Sequence, residues 1–272
     1  MRLIVDAGST KSHWQITNTR GEVRQVYTDG INLLTHSWGH IETQITEAIS
    51  QSFDEDIESI EIYAAGGINE ESRDTFKRRV SERFGMPVGA ITVESDLYLA
   101  AKSLCGDKPG VACILGTGSN SCQWDGHKIV KNVKPLGYIL GDEGSGAVLG
   151  KRLVANWYKG LLSEDIAEKL QEYVGLSYSE VMAKIYKEPG ANKYLASMTR
   201  FMSANREHRD IQDIIKSAFR DFVERNLMQY DGVEKMQINF VGSIAYYFRG
   251  EMEDVLRERG LELGVVKREP LE

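Results

Sequence analysis

Two carboxylate-bearing segments have the residue types needed to act on hydroxyl groups of a ligand. Asp96 follows an apolar stretch and opens a helical pattern. An ionised carboxylate there could accept the proton of an attacking hydroxyl, although Asp is also a frequent helix N-cap. Asp142 and Glu143 lie among glycines in residues 141–146, ahead of another helical pattern. Their oxygens could accept hydrogen bonds from ligand hydroxyl groups, and Glu143 could instead stay near a metal ion. The alternative for the segment is a flexible helix entry.

Two turns built from glycine and small hydroxyl residues could hold phosphate groups. Residues 6–11 follow the first apolar stretch, and residues 116–120 repeat the arrangement later in the chain. Glycine permits a sharp turn, and small side chains leave successive N–H groups free for phosphate oxygens. Either turn alone is equally compatible with a plain hairpin, but two at equivalent places favour phosphate binding. The phosphate-binding candidates are Gly8, Ser9, Thr10, Lys11, Gly116, Thr117 and Gly118. Asp6 could hold magnesium through water, because hard cations prefer carboxylate oxygen.

A third glycine turn lies in residues 240–245, where an apolar strand gives way to a helical pattern. Glycine there lets a flat ring approach the backbone, as at an adenine site. A tight strand-to-helix turn explains the segment equally well. The nucleotide-binding candidates in this turn are Gly242, Ser243 and Ala245.

The elements that must position these turns occur twice. Residues 3–27 read as strand, glycine turn, strand, hairpin and strand, and residues 111–130 repeat that order. Strands that alternate with helices predict largely parallel sheets covered on both faces. We therefore predict an α/β fold of two domains, 1–106 and 107–272, with a helical insertion in the second and a hinge over 106–110. A single helix is predicted over 242–260.

Charge and composition disfavour several classes of partner. The chain has 272 residues and a net charge of −7, whereas nucleic acids and anionic membranes require clustered positive charge. No apolar run reaches membrane-spanning length, and Met1 and Arg2 lead straight into a strand. We therefore expect a cytoplasmic protein with a small-molecule ligand and no nucleic-acid or membrane partner. The oligomeric state stays open, and a homodimer is compatible with the sequence.

The cysteines and two histidines do not indicate a metal centre. Cys105, Cys113 and Cys122 lack the C-x-x-C spacing and are expected to be buried thiols in a reducing compartment. His36 and His40 have helical spacing, but no third ligand is evident. A solvated or capping role is predicted for both.

Together these segments resemble the N-acetylglucosamine kinase branch of the sugar kinase/actin superfamily, also called BadF-type ATPases, over nearly the whole chain. Residues 6–10 look like its first phosphate loop, 116–120 like its second, and 241–245 like its adenosine loop. Residues 137–145 are similar to the segment that carries its Gly-Asp-Glu-Gly-Ser signature. The resemblance implies two duplicated ribonuclease H-like domains of the actin/hexokinase type, with a cleft between them.

The resemblance also implies ATP- and magnesium-dependent phosphorylation of an amino sugar at the 6-hydroxyl. N-Acetylglucosamine is the implied sugar and N-acetylmuramic acid its alternative. Asp96 would act as base, and Thr10 and Thr117 would lie at the nucleotide phosphates. The residues implied for the sugar are Asn32, Asp96, Ser119, Asn120, Gly137, Tyr138, Asp142 and Glu143. Residues 134–137 read Lys-Pro-Leu-Gly where these kinases have Gly-Gly-Trp-Gly, so the exact sugar stays open.

Two other functions are compatible with the same fold family. An ATPase that activates a radical dehydratase or reductase would need exposed, paired cysteines for an iron–sulfur cluster, and none of the three suits that role. A nucleotide-dependent sugar-sensing protein without turnover would be favoured by loss of the base, but Asp96 is present.

Overall fold

The chain divides into two compact units in a computed structural model that describes residues 1–8, 11–33, 35–64 and 69–272. Unit 1 contains residues 1–103 and unit 2 contains residues 104–270. Each unit has its own hydrophobic core, centred on residues such as Trp14 and Ile62 in unit 1 and Phe219 and Phe240 in unit 2. Ser9 and Thr10, predicted to bind phosphate, lie outside the described residues.

Unit 1 is built on a mixed sheet of five described strands. The strands are β1 (Arg2–Ala7), β2 (Lys11–Thr17), β3 (Val23–Asp29), β4 (Ser59–Ala64) and β5 (Ile91–Ser95), in the spatial order β3-β2-β1-β4-β5. The first three are antiparallel neighbours, whereas β1, β4 and β5 run parallel. Ala7 pairs with Ala64, which in turn pairs with Ser95. The segments that follow β1 and β5 therefore leave the same edge of the sheet, about 10 Å apart at the usual strand spacing.

Unit 2 repeats this topology. Its strands are β6 (Gly110–Leu115), β7 (Ser119–Trp124), β8 (Ile129–Val133), β9 (Gln237–Val241) and β10 (Glu262–Lys267). Their order, β8-β7-β6-β9-β10, and their directions match those of β3-β2-β1-β4-β5. The predicted α/β class is confirmed, and the repeat seen in the sequence over three strands extends to all five.

The helices of unit 1 end where the sequence has capping residues. They are α1 (Trp38–Ser50), α2 (Glu70–Phe84) and α3 (Asp96–Cys105), with a 3₁₀ turn at Val88–Ala90 before β5. The Asn69 side chain accepts a hydrogen bond from the Ser72 N–H at 2.8 Å, and Gly85 ends α2 in the left-handed conformation. These are the usual start and stop signals of a helix. Helix α3 begins in unit 1 and crosses the boundary into unit 2.

Seven described helices lie between β8 and β9 in unit 2, and two more between β9 and β10. They are α4 (Gly137–Leu140), α5 (Gly146–Tyr158), α6 (Glu164–Val174), α7 (Tyr178–Tyr186), α8 (Ala191–Ser197), α9 (Thr199–Ala204), α10 (Arg209–Arg225), α11 (Ser243–Tyr247) and α12 (Arg249–Glu258). Two 3₁₀ turns, Leu227–Gln229 and Val233–Lys235, lead into β9.

The prediction of one helix over 242–260 is wrong, because the chain leaves helical geometry at Phe248 between α11 and α12. Ile244, Phe248 and Met252 are all buried in the core of unit 2. They keep helical spacing across the break, so hydrophobic periodicity alone could not reveal it.

Two cysteines behave as apolar core residues, as predicted. Cys113 and Cys122 are fully buried in β6 and β7, while Cys105 is partly exposed at the end of α3. Burial raises the pKa of Cys105 to about 11 and that of Cys122 to about 12. Thiolate ligation of a cluster is therefore disfavoured at these positions. Among the described residues, no helix combines the length and the apolar character needed to span a membrane.

Candidate functional site

The glycine turn between β6 and β7 leaves main-chain donors unpaired. The Gly116 and Thr117 carbonyls accept hydrogen bonds from Gly146 N–H at 2.8 Å and Ala147 N–H at 3.1 Å. These bonds fasten the turn to the start of α5. The N–H groups of Thr117 and Gly118 make no hydrogen bond within the described part of the chain, and the Thr117 side chain is exposed. Two successive free N–H groups beside a hydroxyl form a suitable concavity for an anion.

The Asp142 carboxylate lies directly against this turn. A Cβ atom added to Gly118 would be 2.9 Å from Asp142 Oδ2, so a larger residue there would displace the carboxylate. Asp142 has a left-handed φ of 53°, which its N–H supports by donating to the Pro135 carbonyl at 2.9 Å. Non-glycine residues in this region are uncommon and occur where the surroundings impose them. The backbone thus aims this carboxylate at the glycine turn.

The charge state of Asp142 reflects its surroundings. Burial raises the pKa of Asp142 above its usual range, and the neighbouring Glu143 carboxylate raises it further. The Ser119 N–H, which faces the carboxylate, and the Lys151 ammonium lower the pKa and oppose this effect. A half-buried carboxylate with few protein donors retains the capacity to accept hydrogen bonds from a ligand.

Glu143 is already engaged by protein groups. Its Oε1 accepts from Arg225 Nη1 at 3.2 Å, and its Oε2 lies 3.4 Å from the Asn226 amide nitrogen. Its side chain is only 13 % exposed. The pairing anchors the loop at 141–145 to the end of α10. Glu143 therefore holds the loop in position through these contacts, whereas the Asp142 carboxylate faces the glycine turn at 116–118.

Gly242 brings the third turn onto the same edge of the sheet. Ile114 pairs with Val241, so β6 and β9 end side by side. A Cβ on Gly242 would lie 2.3 Å from the Leu115 carbonyl oxygen, and its φ of +119° is accessible essentially only to glycine. Ser243 is exposed at the start of α11 and Ala245 is buried. The turns at 116–118, 141–145 and 242–243 thus converge within unit 2.

The other sugar candidates of unit 2 have structural partners. Ser119 is buried at the start of β7. The Asn120 side-chain Oδ1 accepts from the Ser121 N–H and from the Asn132 side-chain amide, each at 2.9 Å. Gly137 begins the short helix α4, and the carbonyl of the half-buried Tyr138 accepts from Lys151 Nζ at 2.7 Å. These contacts order the rim around Asp142.

Asp96 is the first residue of α3, at the carboxyl end of β5. Ser95 Oγ accepts from the Tyr98 N–H at 3.1 Å, so Ser95 and not Asp96 caps the helix. This corrects the capping alternative for Asp96, whose Oδ1 instead accepts from the adjacent Leu97 N–H at 2.7 Å. Burial raises the pKa of Asp96 to about 6, against the lowering effect of the Leu97 N–H. A carboxylate with this pKa is ionised at neutral pH and is a stronger base than an exposed Asp.

Gly8, directly after β1, lies at the same edge of the sheet as Asp96. A Cβ on Gly8 would lie 2.8 Å from the Lys11 carbonyl oxygen, and the Lys11 ammonium lies 3.7 Å from the centre of the Tyr27 ring. Asp6 is half-buried near the end of β1. The described residues contain no group of three or more His, Cys, Asp or Glu placed to hold a metal. Magnesium in kinase sites needs only one or two carboxylates besides phosphate and water, so the role predicted for Asp6 does not require such a group.

Asn32 lies in a turn ordered by two histidines. Its N–H donates to His36 Nδ1 at 3.2 Å, and its carbonyl accepts from the His36 N–H at 3.0 Å. His40 Nε2 lies 2.9 Å from the Gly30 carbonyl oxygen, and the two imidazole rings meet edge to face at 4.4 Å. These contacts give both histidines a local structural role.

Sequence reasoning missed the residues that hold the site from a distance. Arg225 and Asn226 anchor Glu143, although they lie more than 80 positions away. Asn132 orients Asn120 from the neighbouring strand. No local motif marks any of the three. The cap at Ser95 could have been found, because Ser before a helical pattern is a common N-cap.

Two five-stranded units of the same topology, each with a glycine directly after its first strand, define a duplicated α/β fold of the sugar-kinase type. The sequence profile of the BadF/BadG/BcrA/BcrD ATPase family matches residues 5–270, and the chain belongs to this family. The family and the fold implied by the sequence resemblance are thereby confirmed. None of the curated proteins compared with the chain matches it.

Solved structures carry the same fold. A candidate N-acetylglucosamine kinase from Porphyromonas gingivalis is 35 % identical, covers 100 % of this chain and 96 % of its own, and superimposes with a TM-score of 0.91. Another from Chromobacterium violaceum is 20 % identical over 99 % of this chain and 95 % of its own, with a TM-score of 0.78. A ROK family glucokinase from Streptomyces griseus, solved with glucose and AMPPNP, is 16 % identical over 98 % and 94 %, with a TM-score of 0.55.

Proposed function

We propose that this protein is an ATP-dependent sugar kinase that phosphorylates an amino sugar at its 6-hydroxyl. N-Acetylglucosamine is the proposed substrate and N-acetylmuramic acid the alternative. The observation that carries the proposal is the convergence in unit 2 of a glycine turn with free N–H groups, the Asp142 carboxylate and the Gly242 turn. The relative from Porphyromonas gingivalis, described as a candidate N-acetylglucosamine kinase, supports the choice of sugar.

The nucleotide would use the main-chain groups of the glycine turns. The free N–H groups of Thr117 and Gly118 are suited to phosphate oxygens, and the exposed Thr117 hydroxyl adds a further donor. Gly8 to Lys11 would supply the corresponding contacts of unit 1. The backbone exposed beside Gly242 would take the adenine ring. Asp6 would hold magnesium, whose charge would stabilise the phosphoryl group during transfer.

The sugar would be held by oxygen and amide groups around Asp142. A carboxylate that faces an open glycine turn accepts hydrogen bonds from two hydroxyls and gives strong, charge-assisted contacts. Asn32 and Asn120 carry the amide groups proposed for the remaining polar atoms of the sugar. Glu143 would act by holding the loop through Arg225. We predict from the sequence that both units contribute to one site. Variants of Asp96 and Asp142 test this prediction.

Asp96 would accept the proton of the attacking hydroxyl. Phosphoryl transfer needs positioning, charge stabilisation and a residue that receives this proton. With a pKa of about 6, Asp96 is ionised at neutral pH and yet basic enough to share the proton as the hydroxyl attacks.

The decisive experiment is a panel of amino sugars and hexoses incubated with ATP and magnesium. ADP release would be followed by a coupled assay, and the product would be located by mass spectrometry and phosphorus NMR. We expect sugar-dependent ADP release with N-acetylglucosamine or N-acetylmuramic acid and a phosphate at carbon 6. Release of ADP with glycerol or a pentulose, and with no hexosamine, would contradict the proposal.

A further inference from the structure

A cavity of about 350 Å³ lies within unit 1, between the start of α1 and the first half of α2. This volume lies in the range of pockets that bind small molecules. None of the residues proposed above for ATP or for the phosphorylated sugar lines it. The cavity therefore provides space for something besides those two groups.

The wall of the cavity combines aromatic rings with polar groups. Trp38 and Phe76 meet edge to face with their ring centres 6.4 Å apart. Ser72 and Thr75 bring hydroxyl groups from α2, and the Arg79 guanidinium lies 5.7 Å from the centre of the Trp38 ring. A pyranose ring has an apolar C–H face and a rim of hydroxyls, so aromatic rings flanked by hydroxyl and guanidinium groups match both parts of it.

The charges of the wall favour a neutral ligand. Among the described residues of the lining, Arg79 is the arginine and Glu71 the carboxylate, so their formal charges cancel. The first turn of α2 carries one further carboxylate, Glu70, next to Glu71. A phosphate or carboxylate ligand would therefore meet no net positive formal charge from these side chains, whereas a neutral sugar ring needs none.

The cavity is bordered by the turn that contains Asn32. His36 lines the cavity and is bonded twice to Asn32. Its Nδ1 accepts from the Asn32 N–H at 3.2 Å, and its own N–H donates to the Asn32 carbonyl at 3.0 Å. Leu33, the neighbour of Asn32, also lines it. A group attached to a sugar that is held at Asn32 would therefore lie beside this cavity.

We propose that the cavity binds a second neutral sugar ring joined to the ring that is phosphorylated, so that the preferred acceptor is an amino-sugar disaccharide. This inference rests on the proposed function. It extends the substrate class from a monosaccharide to a short oligosaccharide, and it assigns the role of stacking platform to Trp38.

The test compares N-acetylglucosamine with its β-1,4-linked disaccharide as acceptors for the complete protein. We expect the KM of the disaccharide to be at least tenfold lower than that of the monosaccharide, since burying one further group in a fitted pocket improves discrimination between substrates by about 10- to 200-fold. Thr75→Trp fills the cavity and should raise the KM of the disaccharide at least tenfold more than that of the monosaccharide. Asp74→Trp is the matched control, because Asp74 is the exposed neighbour on the same helix and does not line the cavity. It should leave the ratio of the two KM values unchanged.

A binding measurement separates this inference from the proposed function. Disaccharide binding should change the fluorescence of the wild-type protein and not of Trp38→Leu, whether or not phosphate is transferred. Phosphorylation of the monosaccharide with a KM ratio near one, or an equal effect of Thr75→Trp on both sugars, would overturn the inference and leave the kinase proposal intact. Preference for an amino sugar with an acidic substituent over the disaccharide would also overturn it. Fluorescence evidence for the disaccharide without ADP release from any sugar would support the cavity and refute the kinase.

Discussion

Replacing Asp96 by asparagine should separate the chemical role of this carboxylate from its cost to folding. Asp96→Asn retains the side-chain oxygen that accepts from the Leu97 N–H, and the helix cap at Ser95 is untouched. The variant lacks only the charge and the proton acceptor. We therefore expect it to fold and bind ATP, while turnover falls by about 10²-fold or more, the usual scale for a general base.

The same change should make the protein more stable at neutral pH. The pKa of Asp96 rises from 3.8 to about 6 on folding because burial penalises the ionised form. The folded state therefore binds the proton more tightly than the unfolded state, and stability is lost as the pH rises from about 4 through 6. Each pKa unit corresponds to about 1.4 kcal/mol, so ionised Asp96 costs up to about 3 kcal/mol above pH 7. Asparagine does not titrate and avoids this cost.

The assay is urea unfolding of the wild-type protein and of Asp96→Asn at pH 5 and pH 8. The free energy of unfolding is taken from the transition in which α3 unfolds. The stability of the variant relative to wild type should increase by about 1.4 kcal/mol between the two pH values, from the same linkage relation. Asp74→Asn, on the exposed face of α2, is the control and should show no such increase. A pH-independent difference for Asp96→Asn would refute burial as the cause of its raised pKa. Near-normal turnover would refute its role as base.

Three further predictions concern the same site. In the wild-type protein kcat/KM should fall about tenfold per pH unit below about pH 6, where Asp96 becomes protonated; a flat acid limb in pH-rate measurements would exclude it as the base. Asp142→Asn should raise the KM of the sugar about 10- to 100-fold with a smaller effect on kcat, since hydrogen bonds to a charged group are worth about 1.5–3 kcal/mol; an unchanged KM in steady-state kinetics would remove Asp142 from the sugar site. Gly242→Ala should lower the free energy of unfolding in urea by about 1–3 kcal/mol more than Gly260→Ala does. The new Cβ at position 242 would meet the Leu115 carbonyl, whereas the space around Gly260 is open. Equal losses for the two glycines would show that the close approach is relieved at little cost.

Much of the fold is determined by local sequence. The alternation of strands and helices, the Asn69 cap and the glycine turn at 116–118 depend on residues close in the chain, whose conformational preferences act before any tertiary contact forms. The repeat of strand, turn and strand predicts the duplicated architecture for the same reason. These features could therefore be read from the sequence alone, together with the candidate residues that stand beside them.

Tertiary structure determines the burial, the electrostatic environment and the hydrogen-bond partners of those residues. The pKa of Asp96 depends on its burial at the start of α3. The direction of the Asp142 side chain depends on a left-handed backbone conformation and on the hydrogen bond from its N–H to the Pro135 carbonyl. Glu143 is held by Arg225, 82 positions along the chain. Hydrophobic periodicity runs unchanged through Phe248, although the helix ends there. Burial, electrostatic environment and long-range hydrogen bonds arise only when distant segments meet, because they depend on separations in space that a linear pattern of residue types does not encode.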